Sequence, residues 1–450
     1  MSYWWTTSAQ RQVEPLRGEV NADIAIVGAG YTGLWTSLAL LDREPWLRVA
    51  ICERESVGFG GSGRNGGFLE PSLTHGLANG VRHFSDEVGE LERLADQSYE
   101  GFRAFLKAHR VDCDFEPTGM LDVAVDDWQV DELREQAELH QRFGHAAELL
   151  DADDVSEHLA SPRFLAGLHR PAAGGVLNPA KLAGELARVA QEQGAQIYER
   201  TPVLRISPAR AGVVIEAAGG TVRAERAVLA TNAYSGELLR RTRRHFVPVW
   251  DYILVSAQLT ERQLDAIGWK RRQGVSDAGN QFHYFRLTAD NRILWGGYDA
   301  LYHFGSRPGE RASPATWAKL EEHFRATFPQ LSDLEFEWRW GGAIATTTRF
   351  TPVFGDALGG RVVYALGYTG LGVAATRFAG RVLADRLLDP ASPLLQLRYV
   401  TSSPFPFPPE PLRWAGVALV RRALARADRR QGARGPVLQV LDRFGIGFDS

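Results

Sequence analysis

The sequence predicts an α/β fold, α+β overall. It consists of a Rossmann-like domain discontinuous in sequence, an antiparallel-sheet domain set into it, and a helical C-terminal extension. Three observations predict it. Near the start, a β-branched run ending Ile26-Val27 meets Gly28-Ala29-Gly30-Tyr31-Thr32-Gly33. Near the end, Val362-Val363-Tyr364-Ala365-Leu366 meets Gly367-Tyr368-Thr369-Gly370-Leu371-Gly372. Both read as a buried strand, a glycine turn and the start of a helix. Between them, from about residue 245 to 345, strand-like runs rich in Trp, Tyr and Phe are short of crossover helices, which is the texture of an antiparallel sheet. A chain that brackets itself this way holds one large dinucleotide from both ends.

The first motif has a mechanical basis. Gly28 allows the tight turn, Gly30 lets backbone approach a pyrophosphate, and Gly33 lets helix and strand pack closely. Free N–H groups at the helix start then face the phosphates. Leu34, Leu38 and Leu41 fall at helical spacing. Residues 48–51 read as the next strand. Glu53 closes it about 20 residues past Gly33, where a carboxylate accepts hydrogen bonds from a ribose, with Arg54 beside it.

A glycine-rich loop follows, Gly58-Phe59-Gly60-Gly61-Ser62-Gly63-Arg64-Asn65-Gly66-Gly67. Residues 86–109 read as a helix with Leu91, Leu94, Phe102 and Phe105 on one face. Residues 115–125 read as strand with a turn at Gly119, and 127–143 as helix. Asn178-Pro179 is a cap followed by proline at the first helical position, and Gly194 ends that helix. Short strands are expected at 203–206, 213–216 and 227–230, then at 247–257, 282–287, 292–298 and 335–340. One helix interrupts the last group, started by Ser313-Pro314. After Pro390 a proline-rich arm leads into a helix at about 412–428 with a basic tail, expected to pack on the body with its basic face in solvent. Residues 1–20 read as a polar leader.

The bulk numbers exclude several classes. A chain of 450 residues implies about two or three domains. Its 44% hydrophobic and 23% charged residues suit a soluble globular protein, and a net charge of −3 gives no reason to expect a nucleic-acid partner. No run approaches a membrane-spanning segment. The two cysteines, Cys52 and Cys113, show neither disulfide nor metal spacing, so no metal site is expected. Sparse cysteine and a start unlike a secretory leader predict a reducing cytoplasm.

The fingerprint, Ser62-Gly63-Arg64-Asn65-Gly66-Gly67, Ala230-Thr231-Asn232-Ala233-Tyr234, Tyr284-Phe285-Arg286-Leu287-Thr288 and the Gly367–Gly372 motif occur in that order. As a set they resemble the D-amino-acid-oxidase-type FAD-dependent oxidoreductases, and the Ser62–Gly67 form resembles the gamma-glutamylputrescine oxidase branch. The resemblance spans roughly residues 21–388. It implies an FAD-binding domain from 21–85, 150–240 and 350–390, a substrate domain from 86–149 and 241–349, and an extension, 391–450, outside the family. It implies non-covalent FAD, held by the residues already named together with Val203, Thr231, Asn232, Gly367, Thr369, Gly370, Leu371 and Gly372. It also implies hydride removal from a carbon next to an amine, imine hydrolysis, and O2 as electron acceptor. Backbone at Gly66-Gly67 would approach the flat ring where side chains are absent. Arg64 and Asn65 would supply hydrogen bonds near it, with Tyr284 and Trp340 lining the cavity above. The helix opening at Gly370–Gly372 would place N–H groups near the ring's pyrimidine oxygens and favour a negative charge there by about 0.3–1 kcal/mol.

One departure bears on the substrate. In amino-acid-oxidising members an arginine ahead of a conserved-spacing proline binds the substrate carboxylate. Counted back from Pro352, that position is Ile344. An α-carboxylate in an apolar pocket without a bidentate partner costs several kcal/mol, so an amine is the better substrate, with Arg349 the one substitute cation nearby. Relatives that attach flavin through cysteine carry it in the C-terminal half, where this chain has none. Those that use histidine place it near Arg64-Asn65, and here the nearest is His75. Two other functions stand beside an amine oxidase: a dehydrogenase passing electrons to a quinone or protein, and a flavin-binding protein without turnover.

Overall fold

The computed structural model describes residues 1–8, 13–305 and 311–446. The parts of the expected leader, substrate domain and extension that fall on 9–12, 306–310 and 447–450 lie outside the described residues. Two large sheets organise the chain. The first has eight strands in which Val362–Leu366, Gly220–Leu229, Gly18–Val27, Val49–Cys52 and Gln196–Tyr198 run parallel side by side. Val353–Ala357 pairs antiparallel on one edge, and Val203–Ala209 with Gly212–Ala217 extends the sheet from Gly220–Leu229. The central strands are nearly continuous apolar runs because helices cover one face and loops and strands the other.

Register decides where a site can form. Cys52 pairs with Val27, Val27 with Leu229, and Leu229 with Tyr364. The carboxyl ends of four parallel strands therefore lie abreast. The segments that follow them are Glu53, Gly28–Gly33, Ala230–Asn232 and Gly367–Gly372, four stretches far apart in sequence. Ligands of parallel α/β sheets bind in this crevice. Two helices lead away from it, Tyr31–Arg43 and Gly372–Leu388. They pack against each other closely enough that a side chain at Gly380 would lie 2.7 Å from the Trp35 backbone.

The second sheet has nine strands in the order Leu301–Tyr302, Val247–Ser256, Ile293–Gly297, His283–Leu287, Gly274–Asp277, Met120–Ala124, Ala166–Arg170 and Glu148–Asp151, with Phe336–Thr346 pairing along Val247–Ser256. The aromatic texture is its core: Trp250, Tyr252, Trp269, Phe285, Trp295, Phe324 and Phe328 are buried together.

Four expectations are corrected here. The sheet is not wholly antiparallel, because Gly274–Asp277 runs parallel to Met120–Ala124. The segment 150–170 does not sit in the first sheet: Leu168 pairs with Asp122 and Ala166 with Ala124, so that stretch belongs to the second sheet. More than one helix interrupts the aromatic strands, since Glu261–Ile267 forms behind a capping box of Thr260 and Gln263. The N-terminus is not merely a polar leader. Tyr3–Thr6 is a helical turn with Trp4 buried, and Ser2 Oγ donates to Gly63 O at 2.9 Å while Trp4 Nε1 donates to Asn65 O at 2.9 Å.

The C-terminal helix Leu412–Asp428 forms as expected, with Arg413, Val417, Leu424 and Ala427 turned toward the body and Arg422, Arg426, Arg429 and Arg430 exposed. A further helix, Pro436–Arg443, forms within the basic tail. Among the described residues no helix is long and apolar enough to cross a membrane.

Candidate active site

A cavity of about 1500 Å³ runs from the crevice of the first sheet to the inner face of the second. Most of the sequence-nominated residues line it: Gly28, Gly30, Tyr31, Thr32, Glu53, Arg54, Ser62, Arg64, Asn65, Gly66, Val203, Thr231, Asn232, Tyr284, Thr369, Gly370, Leu371 and Gly372. Ala29, Gly33, Gly63, Gly67, Gly367 and Trp340 stand behind them.

At one end, the two helices that lead away from the first sheet's crevice lack a capping side chain. Gly30 precedes the first and Leu371 the second, and neither first turn carries an acid. Tyr31 N–H is taken by Ser62 Oγ at 3.0 Å. The other first-turn N–H groups have no intrahelical acceptor and leave two positive dipole ends facing one space. Gly33 is required for this arrangement, since a Cβ there would sit 2.1 Å from the Gly28 carbonyl oxygen. Glu53 closes the fingerprint turn from the next strand. Its carboxylate accepts from Ala29 N–H at 2.8 Å and Glu55 N–H at 3.0 Å. Burial raises its pKa, and those two donors hold back part of the rise. Asn232 Oδ1 accepts from Gly367 N–H at 2.9 Å, tying two of the four strand ends together. Two helix N-termini free of acids and one half-buried carboxylate along a single long cavity fit a dinucleotide with a charged pyrophosphate and a polar ring.

The glycine loop is held from beneath by groups that its sequence did not advertise. Arg286 is fully buried, with no carboxylate bonded to it among the described residues, and burial pushes its pKa down to about 10. It donates to Leu177 O at 2.6 Å, Gly67 O at 3.1 Å and Leu287 O at 3.0 Å. Asn65 is also spent on the loop: Nδ2 donates to Gly61 O and Ser62 O, and Oδ1 accepts from Gly67 N–H at 2.8 Å. It positions the loop rather than offering a free amide. The absence of a side chain at Gly66 serves packing within the protein, because a Cβ there would lie 2.7 Å from the Tyr284 ring and 3.1 Å from Phe68. Arg64 Nε donates to Phe59 O at 2.9 Å, and its guanidinium lies over the Phe59 ring.

Trp340 does not line the cavity. Its indole is buried in a cluster with Tyr3, Trp4 and Ile253, and Nε1 donates to Arg64 O at 2.8 Å. It supports the loop from behind. Tyr284 does line the cavity, with its ring across Gly66 and its edge on Phe68. Its hydroxyl donates to Asp251 Oδ2, a residue that sequence reasoning missed. Asp251 is half-buried on the cavity wall, and desolvation raises its pKa from the usual carboxylate value to about 6, against the pull of Tyr284 and the N–H groups of Tyr252 and Gly297.

Ile344 lies on the cavity wall with Ala343 and Thr346. Arg349 does not replace the missing arginine. Its side chain is buried elsewhere, donating from Nε to Thr351 Oγ1 at 2.9 Å and from Nη1 to Ser402 Oγ at 2.7 Å, above the Phe84 ring. His75 does reach the cavity. It is half-buried, desolvation holds its pKa down to about 4, and Nδ1 has no described partner.

The family model described as FAD dependent oxidoreductase, DAO, matches residues 23–386. The chain belongs to this family. FAD is its cofactor. It is similar to the gamma-glutamylputrescine oxidoreductase of Escherichia coli (strain K12), 31% identical over 412 residues covering 90% of this chain and 93% of that protein. Its fold is that of glycine oxidase from Geobacillus kaustophilus, with a TM-score of 0.68 at 23% identity, covering 82% of this chain and 94% of that one. The L-proline dehydrogenase of P. horikoshii gives a TM-score of 0.71 at 19% identity, covering 86% and 97%.

Proposed function

We propose that this enzyme oxidises the carbon–nitrogen bond of an amine that lacks an α-carboxylate, with O2 as the electron acceptor and H2O2 as its product. The observation that carries the substrate choice is the charge of the inner wall. Beside the glycine loop stands the half-buried carboxylate of Asp251, while Ile344 occupies the place of the carboxylate-binding arginine and Arg349 points away. A partly desolvated anion favours an alkylammonium and opposes an α-carboxylate. The similarity to a protein named for gamma-glutamylputrescine supports an amine at this end.

The residues divide the work by position. The N-terminus of Tyr31–Arg43 would hold the pyrophosphate and Glu53 the ribose. The N-terminus at Gly372 would face the pyrimidine edge of the ring system. Bound FAD supplies the hydride acceptor. Asp251 collects the ammonium from solution and takes up its proton, so that the nitrogen lone pair is free when the C–H bond breaks. Tyr284 donates to the same carboxylate, fixes its orientation, and closes the wall against water with Phe68. Trp340, Asn65 and Arg286 act on the loop alone, as positioning residues. We assign the cofactor-holding unit to the first sheet with its two helices, and the substrate wall to the second sheet.

An oxygen electrode coupled to peroxide detection tests the acceptor. Steady amine turnover should consume O2 and release H2O2 in equal amounts. Turnover supported only by a quinone or dye would replace the oxidase with a dehydrogenase.

A further inference from the structure

The helix Leu412–Asp428 lies beyond the family match, which stops at residue 386. Its two faces follow one period. Arg413, Val417, Val420, Leu424 and Ala427 recur at helical spacing and are buried or half-buried against the body. Leu412, Ala415, Leu419, Arg422, Arg426 and Arg429 recur at the same spacing on the opposite side, and all are exposed. A helix held by its inner face ordinarily turns a mixed polar face to water. This one carries leucine on the first half of its outer stripe and only arginine on the second, so packing on the body explains neither half.

Neighbouring segments extend the stripe. Glu410 accepts from Tyr302 Oη and from Gly305 N–H at 3.2 Å, which brings Phe304 to the start of the helix. Phe407 N–H donates to Arg244 O at 2.8 Å, which brings the turn Arg240–Arg244 to the arm that carries Phe405. Phe304, Phe405, Leu412 and Leu419 are each more than half exposed, and Trp414 is nearly so. Single exposed apolar side chains are ordinary, whereas a group of them on segments bonded to one another is not. None of these apolar side chains lines the cavity described above. Around them, Arg240, Arg241 and Arg244 on the turn and Arg422, Arg426, Arg429 and Arg430 at the helix end are exposed, and no carboxylate pairs with any of them among the described residues. The chain as a whole carries a net charge of −3, so this face has the opposite sign to the rest of the molecule.

We propose that this face docks the enzyme on an anionic lipid surface. The helix lies on the bilayer without crossing it: Leu412, Trp414, Phe304 and Phe405 enter the headgroup boundary, and the arginines meet the lipid phosphates. Three features favour a bilayer over other occupants. The cations are all arginine, whose planar fork matches phosphate oxygens. A second copy of the chain would set arginine against arginine. The apolar groups project from a helix and two loops and form no pocket to receive a partner's side chain, and a lipid surface needs no pocket. The proposal goes beyond the amine-oxidase reading and does not depend on it.

The test uses the full-length holoenzyme and vesicles of phosphatidylcholine, alone or mixed with phosphatidylglycerol. Wild type should sediment with the mixed vesicles at low salt, stay in solution with phosphatidylcholine alone, and be released as salt is raised. Replacing Arg422, Arg426, Arg429 and Arg430 together by glutamine should weaken binding by about a hundredfold or more, since each arginine near such a surface strengthens it several-fold. Leu412→Ser combined with Trp414→Ser should weaken it by about tenfold. No binding to the mixed vesicles, or equal binding with and without the anionic lipid, would overturn the proposal. If the glutamine variant loses binding while the serine variant keeps it in full, the face is a general polyanion site and the lipid assignment is refuted. A second measurement reads insertion directly. Both native cysteines are buried, so Leu412→Cys takes an environment-sensitive dye at one position. Its emission should shift to the blue on the mixed vesicles. The same dye at Trp46→Cys, an exposed position on the loop before Val49–Cys52, should not respond. An unmoved signal at residue 412, or an equal shift at both positions, would refute docking through this face.

Discussion

Replacing Asp251 by asparagine keeps the shape of a side chain on the cavity wall and removes its charge. Burial raises the Asp251 pKa from 3.8 to about 6. A difference of about two units corresponds to about 3 kcal/mol at 1.36 kcal/mol per unit. The sign follows from proton counting. Between about pH 4 and pH 6 the folded protein holds a proton on Asp251 that the unfolded chain has released. Stability therefore falls as pH rises through that window, and the whole penalty is present above about pH 6. Asparagine carries no such penalty. The stability of the apo variant relative to apo wild type should improve by about 3 kcal/mol between pH 4 and pH 7, opening a gap of a few degrees between their melting temperatures. Parallel melting-temperature profiles across that range would show that Asp251 is not desolvated as described. Activity should move the other way. The wild-type kcat/KM should rise through about pH 6 as Asp251 ionises, and Asp251→Asn should lose that limb together with about 10- to 100-fold of kcat/KM, the value of a charged hydrogen bond. An unchanged profile in the variant would remove Asp251 from amine binding.

Three further outcomes are expected. Glu53→Ala should weaken FAD retention and leave turnover per bound flavin similar, and the apo fraction should melt earlier because saturating FAD contributes about 4 kcal/mol at a thousandfold excess over Kd; unchanged occupancy would take Glu53 out of the site. Acid precipitation should leave a colourless pellet and free FAD in the supernatant, whereas a yellow pellet would point to a bond through His75, whose imidazole lines the cavity. Trp340→Phe should lower the reduction rate through the Arg64 loop without changing KM for the amine, since its indole holds the Arg64 carbonyl and does not face the cavity; a raised KM would return Trp340 to the substrate wall.

Much of the cofactor end was legible because its signals are local. Strand, glycine turn and helix follow one another within a few residues at both motifs, and the Asn178-Pro179 cap announces its own helix. The substrate end was less so. Asp251 is one acid within an aromatic strand, and only the approach of Tyr284 from another strand gives it meaning. Arg286 was visible within its motif, but its pairing with the Gly67 and Leu177 carbonyls comes from tertiary contact. Trp340 was placed on the cavity from its aromatic character, and the packing of Tyr3 and Trp4 drew it behind the loop instead. The helix at Glu261–Ile267 carried a readable capping box at Thr260 and Gln263 that the surrounding aromatic runs masked. The strand Ala166–Arg170 has no local feature assigning it to either sheet, and its partner Met120–Ala124 is known only from the fold.

Substrate choice on an anaerobic flavin tests the central claim most directly. The holoenzyme is mixed without oxygen with an amine and, separately, with the α-amino acid bearing the same side chain, and loss of the oxidised-flavin absorbance is followed in a stopped-flow cell. With Asp251 on the wall and Ile344 in place of a carboxylate-binding arginine, the amine should reduce the flavin about a hundredfold or more faster at equal low concentration. Ile344→Arg should narrow that gap. Reduction of the flavin as readily by the amino acid as by the amine would contradict the account.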